Sequence, residues 1–165
     1  MKKLTGKGLK VLKIIHLLLA FMWIGGALAM ILLLLATSPN ESYEMYMRSV
    51  SLKMIDDWLI IPGAMGMLVS GVIYGIWTHW GFFRHRWITV KWILTVAMIL
   101  SGTFLMGPWV NGNVYAPGDI AGYAPDNAIF FGNVTNTIIC GSIQTASLLF
   151  VVIISVLKPW KTKRG

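Results

Sequence analysis

Charged residues are scarce in this chain of 165 residues, at 12% of the sequence, which is about half the fraction found in soluble domains. Acidic residues are the scarcest, with 6 Asp and Glu against 14 Lys and Arg. The single cysteine, Cys140, excludes an intrachain disulfide and a paired-cysteine metal site. The sequence also lacks a phosphate-binding glycine loop, a nucleotide fingerprint and a nucleophile triad. These absences argue against a soluble nucleotide-dependent enzyme and against a disulfide scaffold.

Hydrophobic residues, in contrast, make up 56% of the chain and form four runs of the roughly 20 residues that a transmembrane helix needs. The first run follows lysines as in a signal peptide, but it is longer than the roughly 7–15 apolar residues of a signal sequence. We therefore predict one all-α domain over residues 1–165, an integral membrane antiparallel four-helix bundle with an uncleaved first span. The predicted spans are Val11–Ala36, Trp58–Trp77, Trp87–Met106 and Gly132–Leu157.

Basic residues cluster before the first span, between spans two and three, and after span four. The positive-inside rule therefore predicts that both termini and the loop between spans two and three are cytoplasmic, and the chain is predicted to be a multi-pass protein of the cell (inner) membrane. Because these residues act as topology signals, the net charge of +8 predicts a lipid bilayer as the partner and no nucleic acid. The sequence leaves a homo-oligomer open. The clustered residues are Lys2, Lys3, Lys7, Lys10, Lys13, Arg84, Arg86, Lys158, Lys161, Lys163 and Arg164.

The two segments predicted to lie outside differ in composition. Thr37–Asp57 is compatible with a short interfacial helix, whereas Trp109–Phe131 is rich in Gly, Pro and Asn and is predicted to be a loop. Asp56 and Asp57, at the predicted start of span two, are interpreted as helix N-terminal acids that suit the helix dipole.

Ionisable residues inside a span are costly, so each is a functional candidate. His16 and Lys91 lie one to two helical turns from the cytoplasmic ends of spans one and three, and therefore at one depth. Tyr74 falls near that layer, and Lys13 lies close to the face of His16. A neutral imidazole can ligate haem iron, and a nearby cation can pair with a propionate. In the alternative, His16 is a packing residue and Lys91 reaches lipid head groups, holds an anionic head group or donates a proton.

Other polar or soft residues have simpler interpretations. His79 and His85 are predicted to anchor the chain at the interface, with Arg86 and its neighbour Arg84 near lipid phosphates or cofactor carboxylates. Gln144 is predicted to hydrogen-bond between helices. Small residues along span two predict close helix packing or room for a flat cofactor. A thioether site for Cu(I) is open at three methionines, which are Met45, Met47 and Met54.

Several short motifs resemble those of the HemJ-type protoporphyrinogen oxidases. Lys13-Ile-Ile-His16, followed by Trp23-Ile-Gly25-Gly26, resembles their first-helix pattern of Lys-x-x-His and then Trp-x-Ala-Gly. Trp87-Ile-Thr-Val-Lys91 resembles their third-helix pattern, and Lys158-Pro159-Trp160 resembles their closing Lys-Pro-aromatic. The chain is most similar to an uncharacterised family of small bacterial four-helix membrane proteins related to these oxidases and to the CopD-like copper-resistance proteins.

The resemblance implies a four-helix membrane bundle in which His16 ligates haem b and Lys91 is its functional partner, the catalytic residue of a membrane oxidoreductase. At Phe131-Gly-Asn133 the chain lacks the Arg-x-x-Asn-Glu-x-Pro stretch of the oxidases. The resemblance therefore favours a haem site over porphyrinogen oxidation itself. Further candidates for haem contacts are Lys13 or Arg86 at the propionates, and Met22, Tyr74 or a residue of a partner protein as a second axial ligand.

Three functional hypotheses follow. The leading one is a b-type haem-binding membrane protein with a redox or haem-related role. The second is a transporter of copper or another small solute, as CopD-like kinship allows, and it depends on Met45 and Met47. The third is a non-catalytic membrane subunit of a larger complex, which the small size of the chain permits.

Overall fold

The computed structural model describes residues 4, 6–78, 81–114, 123–124 and 126–159. These residues form helices, and no strand occurs among them. In chain order the elements are α1 (Lys7–Ala36), α2 (Ser42–Ile55), a π-helical turn (Asp56–Ile60), α3 (Ile61–Trp77), α4 (Arg86–Ser101), a second π-helical turn (Gly102–Met106), α5 (Gly107–Gly112) and α6 (Ala128–Leu157).

Four continuous helices are long and apolar enough to cross a membrane, which confirms the predicted number of spans. Large apolar side chains cover their outer surfaces, and Phe21, Trp58 and Val156 are each more than 70% exposed. Such a surface suits lipid rather than water, so the chain has the character of a multi-pass membrane protein. Spans one to four are Lys7–Ala36, Ser42–Trp77, Arg86–Gly112 and Ala128–Leu157.

Spans two and three are longer than the sequence predicts. The helix expected as a separate interfacial element is α2, and it continues through a π-helical turn into span two. Span three continues through α5 to Gly112, and α6 begins at Ala128, so the predicted loop Trp109–Phe131 is shorter than expected. Hydropathy marks where apolar side chains stop, whereas the backbone hydrogen bonds of a helix continue past that point.

Each π-helical turn is followed closely by a proline, Pro62 in span two and Pro108 in span three. Proline lacks a backbone N–H and normally ends or kinks a helix. Here the N–H before each proline donates to a carbonyl five residues back, from Ile61 to Asp56 and from Gly107 to Gly102. The wider turn lets both helices continue past the proline.

Small residues allow α1 and α3 to approach closely, as the sequence predicts. A Cβ atom on Gly63 would lie 2.7 Å from the backbone nitrogen of Trp23, and one on Gly66 would overlap the side chain of Leu19. Further along the pair, the N–H of Leu4 donates to the carbonyl of Trp77 at 2.8 Å. Close backbone approach of this kind is what drives helix association where lipid gives no hydrophobic force.

A buried cluster to which all four spans contribute lies at the centre of the bundle, and it consists of Trp23, Ala64, Met98, Leu148 and Val151. It borders two cavities, because Val151 lines one and Trp23 lines the other. We call the part around the first cavity the His16 half, with His16, Tyr74 and Lys91. The part around the second is the Asp56 half, with Met30, Asp56, Met106 and Gly141.

Side-chain hydrogen bonds join spans two, three and four at the far end of the Asp56 half. Lys53 donates to the amide oxygen of Asn111 at 2.7 Å. Asn113 donates to the carbonyl of Phe130 at 3.0 Å and accepts from Asn133 at 2.8 Å. The start of span four is thereby fixed to the end of span three.

Candidate functional site: a cavity beside His16

The His16 half contains a cavity of about 190 Å³ to which all four spans contribute. Its walls are mainly apolar and aromatic, with His16 and Lys91 as the charged or titratable groups from spans one and three. Apolar cavities with a few convergent polar groups are the usual form of cofactor sites. The lining residues are His16, Met67, Gly71, Tyr74, Gly75, Gly81, Trp87, Ile88, Lys91, Trp92, Thr95 and Val151.

The imidazole of His16 is held by Ser70 on α3. The Ser70 hydroxyl oxygen lies 2.7 Å from Nδ1 of His16 and 2.7 Å from the carbonyl oxygen of Gly66. A carbonyl can only accept, so the single hydroxyl hydrogen of Ser70 is donated to Gly66, and Nδ1 of His16 donates to Ser70. The proton is then on Nδ1, which leaves the lone pair of Nε2 available to a ligand. Histidines that bind metals are commonly oriented by such a hydrogen bond on the other nitrogen.

Tyr74 lies one helical turn after Ser70 on the same face of α3. Its ring packs edge-on against the ring of His16, with 5.3 Å between the ring centroids. An edge-on ring at this distance restricts rotation of the imidazole, so Tyr74 is placed to orient His16. Its role as a second axial ligand stays a prediction.

Lys91 reaches the same cavity from α4, as the matched depth of the two residues predicts. Its Nζ lies 5.8 Å from the ring centroid of Trp87, within the range of a cation–π contact. No ion pair joins Lys91 to a carboxylate among the residues that the structure describes. An amphiphile with an anionic group fits this position.

Three other predicted contacts are not brought into the cavity. Lys13 and Arg86 are exposed, and neither contributes to its lining. Met22 is half-buried and also lies outside the lining. Six residues separate it from His16, which turns its side chain about 120° away around the helix. The structure thus assembles the site from His16, Lys91 and Tyr74, with Ser70 as the residue that sequence reasoning missed.

Comparisons with protein-family models, with curated proteins and with solved structures gave no match to this chain. The resemblance to HemJ-type oxidases and CopD-like proteins therefore stays a prediction from short motifs. The geometry of the cavity carries the functional interpretation.

The methionines proposed for copper do not converge. Met45 is buried against Tyr123 and Phe130, whereas Met47 and Met54 are exposed. Met45 and Met47 are two residues apart on a helix, so they project from different faces. In the described part of the chain, no group of three or more His, Cys, Asp or Glu side chains is placed to hold a metal ion. Haem ligation through one histidine does not require such a group.

The remaining sequence predictions have mixed outcomes. Gln144 forms the expected interhelical hydrogen bond, donating to the hydroxyl of Ser101 at 2.8 Å. His85 is half-buried, directly precedes α4 and lies outside the cavity lining. Several residues named from the sequence lie outside the described ranges, and these are His79, Lys2, Lys3, Trp160, Lys161, Lys163 and Arg164.

The interpretation of Asp56 as a helix N-terminal acid is wrong. The helix begins at Ser42, so Asp56 lies deep within span two, at the start of its π-helical turn. Its side chain lines the second cavity, in the Asp56 half. Asp57, in contrast, forms an ion pair with Lys53 at 2.9 Å. The sequence did contain a signal for this position, namely an acidic residue, Asp56, shortly before Pro62 in a largely apolar segment.

Proposed function

We propose that this protein binds haem b in the His16 half of the bundle, with His16 as the axial ligand. The observation that carries the proposal is the hydrogen bond from Nδ1 of His16 to Ser70, which leaves Nε2 available at a cavity that Lys91 also lines. Bound haem supplies one-electron chemistry, and its electronic properties depend on the axial ligand and on hydrogen bonds to that ligand. The proposed activity class is a membrane oxidoreductase or haem-related function.

The charge of Lys91 suits a haem propionate. The bilayer interior makes an unpaired ammonium group costly, and a propionate would provide the missing anion. The aromatic rings of Trp87 and Trp92 line the same cavity and offer flat apolar surfaces to a macrocycle. A catalytic role of Lys91 in proton donation stays a prediction from the resemblance.

The cavity is smaller than a typical cofactor site, so the proposal requires it to widen. Cofactor sites typically measure roughly 300–1,000 Å³, more than the cavity's about 190 Å³. α3 and α4 contact each other only sparsely beside the cavity, whereas α1 and α3 pack closely. Separation of spans two and three, which would disrupt less packing than separation of any other pair of neighbouring spans, would widen the cavity for haem.

We further propose an antiparallel order of spans in the bacterial inner membrane, with the His16 half and both termini on the cytoplasmic side. The contacts of α1 with α3 support this order, because Leu4 is near Trp77 while Gly26, later in α1, is near Ile60. The distribution of basic residues supports the orientation. The exposed apolar surface permits a homo-oligomer.

An absorption spectrum of the protein purified in mild detergent, after expression with ample haem, tests the proposal. We expect a Soret band that is lost in His16→Ala and retained in His85→Ala, which removes a histidine outside the cavity. Lys91→Met should weaken haem binding without abolishing the band. Absence of a Soret band in the wild-type protein would refute haem binding, and a band unchanged in His16→Ala would refute the ligand assignment.

A second candidate is favoured by the small size of the cavity. In this alternative Lys91 holds the anionic head group of a lipid whose chain lies along the apolar walls. Native mass spectrometry would then detect a bound lipid in the wild-type protein and in His16→Ala but not in Lys91→Met. A haem adduct lost in His16→Ala would instead favour the first candidate.

A further inference from the structure

The second cavity, in the Asp56 half, is small and polar on one side. It has a volume of about 30 Å³, close to the space that one water molecule occupies in the liquid. Both π-helical turns border it, through Asp56 and Ile60 in span two and Gly102 and Met106 in span three. Turns of this type frequently mark functional sites. The polar side chains of the lining are Asp56, Thr137 and Gln144.

The hydrogen-bond donors of these side chains are directed elsewhere. The amide nitrogen of Gln144 lies 2.8 Å from the hydroxyl of Ser101 and 3.4 Å from the carbonyl of Met98. The Ser101 hydroxyl also donates to the carbonyl of Met98, at 3.1 Å, so Ser101 accepts from Gln144. Because Met98 contributes a carbonyl, the nitrogen of the Gln144 amide must face it, and Oε1 has no partner among the described residues.

Thr137 and Asp56 likewise present hydrogen-bond acceptors and no donor to the cavity. The hydroxyl of Thr137 donates to the carbonyl of Asn133 at 2.7 Å, which leaves only its lone pairs for the cavity. Among the residues that the structure describes, no hydrogen bond or ion pair is made by the carboxylate of Asp56. Lys53 and Asp57 are the charged groups near Asp56 on its own helix, and they pair with each other. No residue from another span contributes a second charge to the lining.

The cavity thus offers the oxygen lone pairs of Asp56, Thr137 and Gln144 with one negative charge, and the indole of Trp23 is the one N–H donor among its other lining side chains. We propose that it binds a small monovalent cation such as Na⁺, coordinated by Asp56, Thr137 and Gln144. Carboxylate, amide and hydroxyl oxygens suit hard cations. A single positive charge neutralises the single carboxylate, whereas a divalent ion would leave net charge in a medium of low dielectric constant. The site is separate from the His16 cavity and does not depend on haem binding.

Thermal unfolding of the full-length protein in detergent tests the site, in NaCl against choline chloride at equal ionic strength. We expect Na⁺ to raise the melting temperature by about 3–5 °C, the shift given by a concentration roughly ten times the dissociation constant. Asp56→Asn should abolish this difference. Asp57→Asn is the matched control, because it removes the adjacent carboxylate outside the cavity, and it should keep the difference.

Calorimetric titration with NaCl gives a second measurement, in which Asp56→Asn should lose the binding heat that Asp57→Asn retains. Equal melting temperatures of the wild-type protein in the two salts would overturn the proposal, whether or not the Asp56 variant folds. Persistence of the Na⁺ effect in Asp56→Asn would also overturn it.

Discussion

The close approach of α1 and α3 predicts that Gly63→Ala destabilises the bundle. A Cβ atom at this position would lie 2.7 Å from the backbone nitrogen of Trp23 and 3.0 Å from its Cα. Backbone atoms cannot rotate away as a flexible side chain can, so the two helices have to separate. Overpacking of this kind costs about 1–3 kcal/mol.

Gly25 provides a matched control, because a Cβ atom there would meet nothing within 4 Å. Replacing glycine by alanine within a helix also gains about 1 kcal/mol of helix propensity, which both variants share. The difference in unfolding free energy between Gly63→Ala and Gly25→Ala therefore isolates the steric cost, and we expect about 1–3 kcal/mol.

Reversible unfolding in mixed micelles, followed by circular dichroism during titration with a denaturing detergent, measures this difference. The double variant should show the sum of the two effects, because Gly63 is packed against Trp23 while Gly25 has open space around it. Equal unfolding free energies of the two single variants, within about 0.5 kcal/mol, would refute the reasoning. The contact of α1 with α3 would then be looser than the geometry indicates.

Two further substitutions test smaller features. Ser70→Ala should weaken haem affinity about 10- to 100-fold by removing the hydrogen bond that orients His16, whereas Ser147→Ala, at a half-buried serine outside the cavity with the same bond to a preceding carbonyl, should leave it unchanged. Haem titration of both apoproteins measures this, and equal affinities would contradict the role of Ser70. Asn127→Ala removes the side chain that accepts from two N–H groups at the start of α6 and should cost about 1 kcal/mol. Asp126→Ala is its control, and equal unfolding free energies of these two variants would exclude the cap.

The apolar spans and the placement of His16 and Lys91 at one depth were predicted from the sequence, and both residues line the same cavity. Both predictions depend on quantities that a sequence carries, namely the length of apolar runs and the depth of a residue within them. The contact of His16 with Ser70 could not be derived in the same way. It depends on the rotation of α1 against α3, which is set by close contacts such as that of Gly63 with Trp23. The available signal for this contact was Ser70 itself, a polar residue within the apolar run of span two.

The role of Asp56 was missed because two assumptions failed together. The charged residues Arg48 and Lys53 ended the apolar run and suggested that a helix started near Asp56, although the helix starts at Ser42. The π-helical turn that begins at Asp56 also adds one residue relative to an α-helix, so the helical pattern of α3 extended backwards places Asp56 about 100° from its actual direction. A pattern with a period of 3.6 residues cannot anticipate that shift. The inward direction of Asp56 therefore emerges only from the folded backbone.

The hydrogen bonds of Asn111 and Asn113 fix one end of span three, while its other end borders the His16 cavity. Lys91 lies about twenty residues from Asn111, which is roughly 30 Å along a helix. Each degree of tilt about the fixed end therefore displaces Lys91 by about 0.5 Å at that helical rise. A tilt of about 7° would therefore displace Lys91 by about 3.5 Å, the distance of one van der Waals contact, so small rotations about the fixed end change the width of the cavity at the other end.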